Sequence, residues 1–389
     1  MTKVAIVGVG QTKFDEHWER SLRDLSTEAG ALALKDARLD GSQVQALFVG
    51  NMSAGRFVGQ EHMGALAADA AGLSPIPATR CEAACASGAL AFANACNAIK
   101  SGKYDIVVAA GAEKMTDLKG TDAIATLMGA GDQEWESAIG LTFTGLYALI
   151  ARAHMKKYGT TREQMAMVSV NNHKNGIHNP LAQFRKEITV GEVMKSTMIA
   201  DPLTLLDCSP ITDGAAAVVL VSDKLAGRFA NPIWVRGVGQ ASDTLALHDR
   251  DDVTEMKATK SAAATAYGES GLGPQDMHLA EVHDCFSINE IIAVEDLGFC
   301  GKGEGGKFVE AGNIAIGGKI PVNTTGGLKS IGHPVGATGI RQLVDITKQL
   351  RGSMPEQIQV KGAKNGIALN IGGSGATAVV TILSKDVGN

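Results

Sequence analysis

The chain opens on an unbroken apolar run, Val4-Ala5-Ile6-Val7, closed by Gly8-Val9-Gly10, which reads as a buried strand and a turn. An amphipathic pattern from Leu22 to Ala37 predicts a helix, and the short run Ala46 to Val49 predicts a second strand. Continuous apolar strands separated by helices predict a parallel sheet with crossover helices. Asp105-Ile106-Val107-Val108-Ala109-Ala110-Gly111 adds another buried strand ending in glycine.

The same grammar then returns. Ile233 to Gln240 repeats Val7-Gly8-Val9-Gly10-Gln11, and Ala280-Glu281-Val282 stands where Ala46-Leu47-Phe48 stood. Cys85-Ala86-Ser87-Gly88-Ala89 has its counterpart in His333-Pro334-Val335-Gly336-Ala337, each opening a helix that runs to a glycine, Gly102 or Gly352. Gly366 to Gly372 answers Asp105 to Gly111. Four matches in one order predict two α/β halves from a duplicated unit, against the alternative of chance likeness between glycine-rich segments. Residues 114–210 fit no strand–helix alternation, and a helix around Phe143 to Tyr158 is predicted within them. They read as an insertion over the C-terminal edge of the first half, where such insertions commonly cover active sites. The expected division is 1–113 with 211–230, then 114–210, then 231–389.

Composition narrows the classes. A net charge of −5 over 389 residues argues against a nucleic-acid binder, and 45% hydrophobic against 20% charged residues provides a large core. Rings are few, at 4%, while glycine reaches 47, which suits closely packed α/β layers with tight turns. Val4 to Val9 is too short for a secretory signal and no run is long enough to cross a bilayer, so no membrane association is expected. Six cysteines in a chain of this length do not make a disulfide scaffold, and a reduced, cytoplasmic protein is expected.

Among those cysteines, Cys81, Cys96, Cys208 and Cys300 read as small core residues. Cys85 differs because it sits at a strand-turn-helix corner, where a helix N-terminus favours the thiolate and is expected to lower its pKa. His333 occupies the matching corner of the second half, framed by Gly332 and Pro334 within a glycine-rich segment. If the halves pack face to face, the two form a cysteine–histidine pair suited to covalent catalysis. His283-Asp284-Cys285-Phe286 follows a predicted strand and brings a second histidine and a second thiol. A metal reading of that loop is weak, since no Cys-x2-Cys or His-x3-His spacing accompanies it. Gly301 to Lys307 has phosphate-loop spacing, but Phe308 replaces the magnesium-binding hydroxyl, and a mobile surface loop is expected there. Gly8-Val9-Gly10 lacks the third glycine of a dinucleotide fingerprint.

Together these segments resemble the thiolase superfamily over the whole chain. Glu82-Ala83-Ala84-Cys85-Ala86-Ser87-Gly88, Gly332-His333-Pro334, Gly111-Ala112-Glu113-Lys114-Met115 and Thr212-Asp213-Gly214-Ala215-Ala216-Ala217 carry the likeness. It implies two five-stranded α/β halves in a five-layered αβαβα core with an inserted loop domain. Where many thiolases have Asn-Glu-Ala-Phe, this chain has His283-Asp284-Cys285-Phe286, and where they have a late Cys-x-Gly-Gly, it has Asn370-Ile371-Gly372-Gly373. That exchange resembles the sterol-carrier-protein type and the archaeal acetoacetyl-CoA group.

The resemblance implies that Cys85 is the acylated nucleophile, His333 its base and Cys285 the acid/base of the carbanion step. His283 and His333 would stabilise the enolate, and the N–H groups of Cys85 and Gly372 the tetrahedral intermediate. The implied substrates are acetyl-CoA, acetoacetyl-CoA and CoA, with no metal and no other cofactor. It also implies a homodimer or tetramer, a complex with 3-hydroxy-3-methylglutaryl-CoA synthase and a zinc-ribbon/OB-fold protein, and a product that feeds the mevalonate pathway. A β-ketoacyl synthase-like enzyme would use one cysteine and two histidines on the same fold, and a non-catalytic scaffold would need none of these groups.

Overall fold

The computed structural model describes residues 2–388. Its strands are β1 (Val4–Gln11), β2 (Ala46–Gly50), β3 (Ala78–Cys81), β4 (Ile106–Glu113), β5 (Met198–Ala200), β6 (Leu203–Thr204), β7 (Gly214–Ser222), β8 (Ile233–Ser242), β9 (Leu279–Glu281), β10 (Asn365–Gly372) and β11 (Thr377–Ser384). Nine of them form one sheet in the order β3-β2-β4-β7-β1-β8-β11-β10-β9, mixed where a parallel one was expected because β7 and β11 each run antiparallel to both neighbours, and β5 pairs with β6 apart from it.

The seam of the large sheet lies between β1 and β8, which pair antiparallel only at Val4–Val235, Ala5–Trp234 and Ile6–Ile233. Counted outward from that seam, the first half runs β1, β7, β4, β2, β3 and the second runs β8, β11, β10, β9. The strand orders correspond position by position, so the duplication visible in the sequence is also a duplication of topology. The second half differs from the expected five strands. Its outermost strand is reduced to a single parallel bridge, Ala280 to Val322. Pro321 precedes that bridge and has no N–H to donate to a ladder.

Around the sheet pack helices α1 (Leu22–Ala37), α2 (Ser87–Lys100), α3 (Phe143–Tyr158), α4 (Arg162–Gly176), α5 (Lys257–Ser270), α6 (Ser287–Asp296), α7 (Gly305–Glu310), α8 (Gly327–Ile331) and α9 (Thr338–Arg351). Alternate residues of each strand face opposite ways. Ala5, Val7 and Val219 therefore meet Leu25, Ala29 and Ala33 of α1 on one outer face. Ile6, Val107 and Leu220 meet Phe92 and Ile99 of α2 and Leu343 and Ile346 of α9 on the inner face, together with Leu383 of the second half. Ile367, Leu369 and Val380 cover the other outer face against Ala262 and Ala266 of α5 and Ile291 of α6. The result is five layers, αβαβα, with α2 and α9 in the middle.

These middle helices approach through glycine. A Cβ on Gly88 would lie 2.7 Å from the Gly336 carbonyl oxygen, and one on Gly339 would lie 2.4 Å from the Ala89 nitrogen. Such distances leave no room for any side chain, so the first turns of α2 and α9 cross in direct backbone contact.

The segment between β4 and β7 carries α3, α4 and the small hairpin. Thr142 caps α3 by accepting from the Gly145 N–H at 3.2 Å, and Gly159 ends it in a left-handed conformation, which places the helix at the predicted residues. The Gly301–Lys307 expectation needs correction. Gly305–Glu310 is helix α7, seated so tightly that a Cβ on Gly305 would lie 2.5 Å from the Ile291 carbonyl oxygen. Among the described residues no helix is long and apolar enough to cross a membrane, and all six cysteines are free.

Candidate active site

After β3 the chain turns sharply through Ala84, whose φ of 52° is left-handed and strained for a residue with a Cβ. The Ser87 hydroxyl holds the turn by accepting from the Ala83 N–H at 2.9 Å and donating to the Ala84 carbonyl at 2.6 Å. Cys85 is thereby presented just ahead of α2, against a cavity of about 250 Å³ that Tyr147, Cys285, Phe286, His333 and Gly373 also line. His333 enters from the second half, ahead of α9, its N–H donating to Thr212 Oγ1 at 3.0 Å.

One side-chain ligating atom from each of Cys85, His283 and His333 lies within 4.8 Å of the other two. The imidazoles stand edge to face, with ring centroids 4.9 Å apart and planes at 81°. Their hydrogen bonds fix opposite tautomers. The Thr338 hydroxyl spends its one proton on the Pro334 carbonyl at 3.1 Å, so at 2.7 Å it accepts from His333 Nδ1–H. His333 Nε2 is buried with no protein partner and carries the lone pair. Asn370 Nδ2 donates to His283 Nδ1 at 3.1 Å, which leaves the proton of His283 on Nε2. One imidazole can therefore accept a proton and the other can donate a hydrogen bond.

Burial sets the charge states. It pushes His333 down to about 3, helped by the Arg341 guanidinium, and pushes His283 well below the usual histidine range. Cys85 departs from the sequence expectation. Burial drives its thiol up to about 12, outweighing the N–H groups of Gly373 and of Cys85 itself that face the sulfur. The resting pair is a neutral thiol beside a neutral imidazole. A proton transfer that accompanies attack on a substrate suits that pair better than a standing thiolate.

The His283–Phe286 loop is held from several sides. Asp284 accepts from the Leu328 N–H at 2.7 Å and from Asn172 Nδ2 at 2.8 Å, and the Cys285 carbonyl accepts from the Ser209 N–H at 2.9 Å. Burial and the neighbouring Cys85 push the Cys285 thiol well above the ordinary range, while a hydrogen bond with Tyr147 and the buried Lys329 ammonium oppose the rise. Cys285 thus reaches the same cavity as Cys85.

Gly372 does not. It borders a neighbouring surface cleft, packed so that a Cβ would lie 2.4 Å from the Ala83 carbonyl oxygen. The backbone N–H on the Cys85 sulfur comes from Gly373, whose φ of 61° turns its peptide inward and favours glycine. Tyr147 and Thr338 carry no sequence signal as site residues. Asn370 is visible only as a substitution, and Cys208, read as core, lines the cavity wall.

The family described as "Thiolase, N-terminal domain" matches residues 4–224, and the one described as "Thiolase C-terminal domain-like" matches residues 239–385. The chain belongs to the thiolase family. This thiolase is 57% identical over 387 residues to an acetyl-CoA acetyltransferase of Methanothermobacter thermautotrophicus, covering 99% of this chain and 100% of that one. It is 48% identical to an acetyl-CoA acetyltransferase of Methanocaldococcus jannaschii, over 99% of each chain. A sterol carrier protein 2 of Bos taurus is 37% identical, over 97% of this chain and 71% of its own. Among solved structures, the "Ltp2-ChsH2(DUF35) aldolase" superposes with a TM-score of 0.83 at 26% identity, over 97% of both chains. The acetyl-CoA acetyltransferase of Syntrophomonas wolfei does so at 0.76 and 20%, over 99% of this chain and 100% of that one.

Proposed function

We propose that this thiolase is an acetyl-CoA C-acetyltransferase that joins two acetyl-CoA molecules into acetoacetyl-CoA and CoA, and runs the reverse thiolysis. The single observation that carries the reading is the site itself, where two thiols and the His333 imidazole line one cavity and a second imidazole, His283, stands within 4.8 Å of Cys85 and His333 in the opposite tautomer. Close archaeal relatives bearing the name acetyl-CoA acetyltransferase support the choice of substrate.

In the synthetic direction Cys85 Sγ attacks the thioester carbon while His333 Nε2 takes its proton. The tetrahedral intermediate collapses to acetyl-Cys85, and the departing CoA thiolate takes the Cys285 proton. Cys285 thiolate then removes a methyl proton from a second acetyl-CoA, and the electron pair moves onto the thioester oxygen. His283 Nε2–H and the proton now on His333 Nε2 face that enolate. The enolate carbon attacks the acetyl group on Cys85, and Cys85 thiolate recovers its proton from His333. The N–H groups of Cys85 and Gly373 serve the tetrahedral intermediates, each such donor contributing about 3 kcal/mol.

A β-ketoacyl synthase-like enzyme makes its carbanion by decarboxylation and has no use for a thiol where Cys285 stands. CoA thioesters enter as substrates, and the scheme uses side chains and backbone alone. We read the chain as a cytoplasmic homo-oligomer, with a synthase and a zinc-ribbon/OB-fold protein as its partners and the mevalonate pathway as the consumer of its product. Acetoacetyl-CoA loss in the presence of CoA tests the reading. Cleavage by the wild type, lost in both Cys85→Ala and Cys285→Ala, is the expected result. Full activity in Cys285→Ala would overturn the two-thiol scheme.

A further inference from the structure

Tyr147 lies on α3, in the insertion, yet it is fully buried among groups of the two halves. Its ring stacks on Phe286, the neighbour of Cys285, with centroids 4.6 Å apart and planes at 30°. Its hydroxyl donates to the Gly373 carbonyl at 3.2 Å, and Tyr147 and Cys285 line the same cavity, near enough for each to shift the other's proton affinity. The same residue, Gly373, presents its N–H to Cys85. From the far side, Arg250 fixes the same turn by donating to the Ser374 carbonyl at 2.7 Å. One phenol therefore shares the cavity with both sulfur atoms and is linked to Cys85 through a single residue, Gly373.

A phenol has one proton to give and lone pairs to receive with. While Cys285 is a thiol, the phenol O–H is directed at the Gly373 carbonyl. When Cys285 becomes a thiolate, a charged acceptor replaces a neutral one, and a hydrogen bond to a charged group is about twice as strong. Rotation of the O–H from the carbonyl to the sulfur is then favoured.

We infer that Tyr147 is the positioning residue of the second thiol, turning its O–H from Gly373 to the Cys285 sulfur during the interval in which that sulfur carries charge. The phenol keeps its proton throughout. The proton lost by Cys285 goes to the departing CoA thiolate, and the one it regains comes from the substrate methyl. The inference rests on the reading of Cys285 as acid/base.

Tyr147→Phe keeps the ring and its stacking on Phe286 and removes only the hydroxyl. Two half-reactions separate the roles. One is acetylation of Cys85 by acetyl-CoA, followed by mass spectrometry. The other is exchange of the acetyl-CoA methyl protons with deuterated solvent, followed by NMR. Tyr147→Phe should slow exchange about 10- to 100-fold and shift its pH dependence to higher pH, because the thiolate has lost a donor. Acetylation, whose leaving group is a stable thiolate, should stay within about threefold on the same reasoning.

Equal loss in both half-reactions would overturn the inference, since that is the mark of a disturbed Gly373 turn. Exchange at the wild-type rate in Tyr147→Phe, with exchange abolished in Cys285→Ala, would overturn it while leaving the two-thiol scheme intact. Exchange retained in Cys285→Ala would remove both. Should Tyr147→Phe fail to fold, a fluorinated tyrosine at that position supplies the test. Its more acidic phenol donates more strongly, so the pH dependence of exchange should move to lower pH, and an unmoved profile would overturn the inference.

Discussion

Replacing Thr338 by valine removes one oxygen from the interior and almost nothing else. That oxygen accepts the Nδ1–H of His333 at 2.7 Å and donates to the Pro334 carbonyl at 3.1 Å. In the resting enzyme the loss strands a buried N–H, at a stability cost of about 1–3 kcal/mol. The kinetic cost is larger in consequence. As Cys85 attacks, His333 becomes an imidazolium and its Nδ1–H becomes a charge-assisted donor, worth about 1.5–3 kcal/mol. At about 1.36 kcal/mol per decade, Thr338→Val should acetylate Cys85 about 10- to 150-fold more slowly than the wild type. Rapid quenching with acetyl-CoA and mass spectrometry of the intact chain measures this directly. Thr338→Ser restores the oxygen and should recover most of the rate. A Thr338→Val enzyme acetylated within about threefold of the wild-type rate would refute the tautomer argument. So would a serine variant as slow as the valine one.

Other consequences can be checked in the same way. Asn370→Leu removes the amide that keeps the proton of His283 on Nε2, and should cost methyl-proton exchange about 100-fold while acetylation of Cys85 proceeds. His333 bears on acid stability. Its pKa is about 3 when folded and near 6.5 otherwise, so below pH 6.5 the unfolded chain gains a proton that the folded chain refuses. This group withdraws nothing above that pH and withdraws stability progressively as pH falls toward 3. Between neutral pH and about pH 4.5 the wild type should therefore lose about 3 kcal/mol more in urea unfolding than His333→Gln, and equal losses would refute the assignment. Gly339→Ala places a methyl 2.4 Å from the Ala89 nitrogen. The crossing of α2 and α9 must then open, and kcat should fall even under conditions where the variant remains fully folded by circular dichroism.

The frame of the molecule was largely written in its apolar pattern. Duplicated strands, helices ending at glycine and the α3 segment all follow from periodicity and turn chemistry, which act over a few residues. Cys85 and His333 were legible for a related reason, since the duplication itself placed them at matching corners. The groups that tune them were not. Thr338, Tyr147 and Gly373 matter through where a hydroxyl or an N–H ends up after distant segments have packed, and nothing local marks them. The Cys85 thiol shows the same limit in energetic form. A helix N-terminus can be read from sequence, but the desolvation that overrides it depends on what covers the cavity. Pro321 is an intermediate case. It is plain in the sequence, yet its effect, a strand shortened to one bridge, follows only once its neighbour Ala280 is known.

A duplicated chain would ordinarily be expected to own two equivalent centres, one per copy. The crossing of α2 and α9 makes that impossible here, because it merges the two corners into a single place. At the matching corners each copy then kept a different group, a thiol in one and an imidazole in the other. Neither copy retains a reaction of its own, and every later change in the pose of one against the other is judged by the chemistry they share. That interdependence ties the copies more firmly than the three residue pairs joining their sheets. It makes the chain inseparable in descent even where it is thinly stitched in structure.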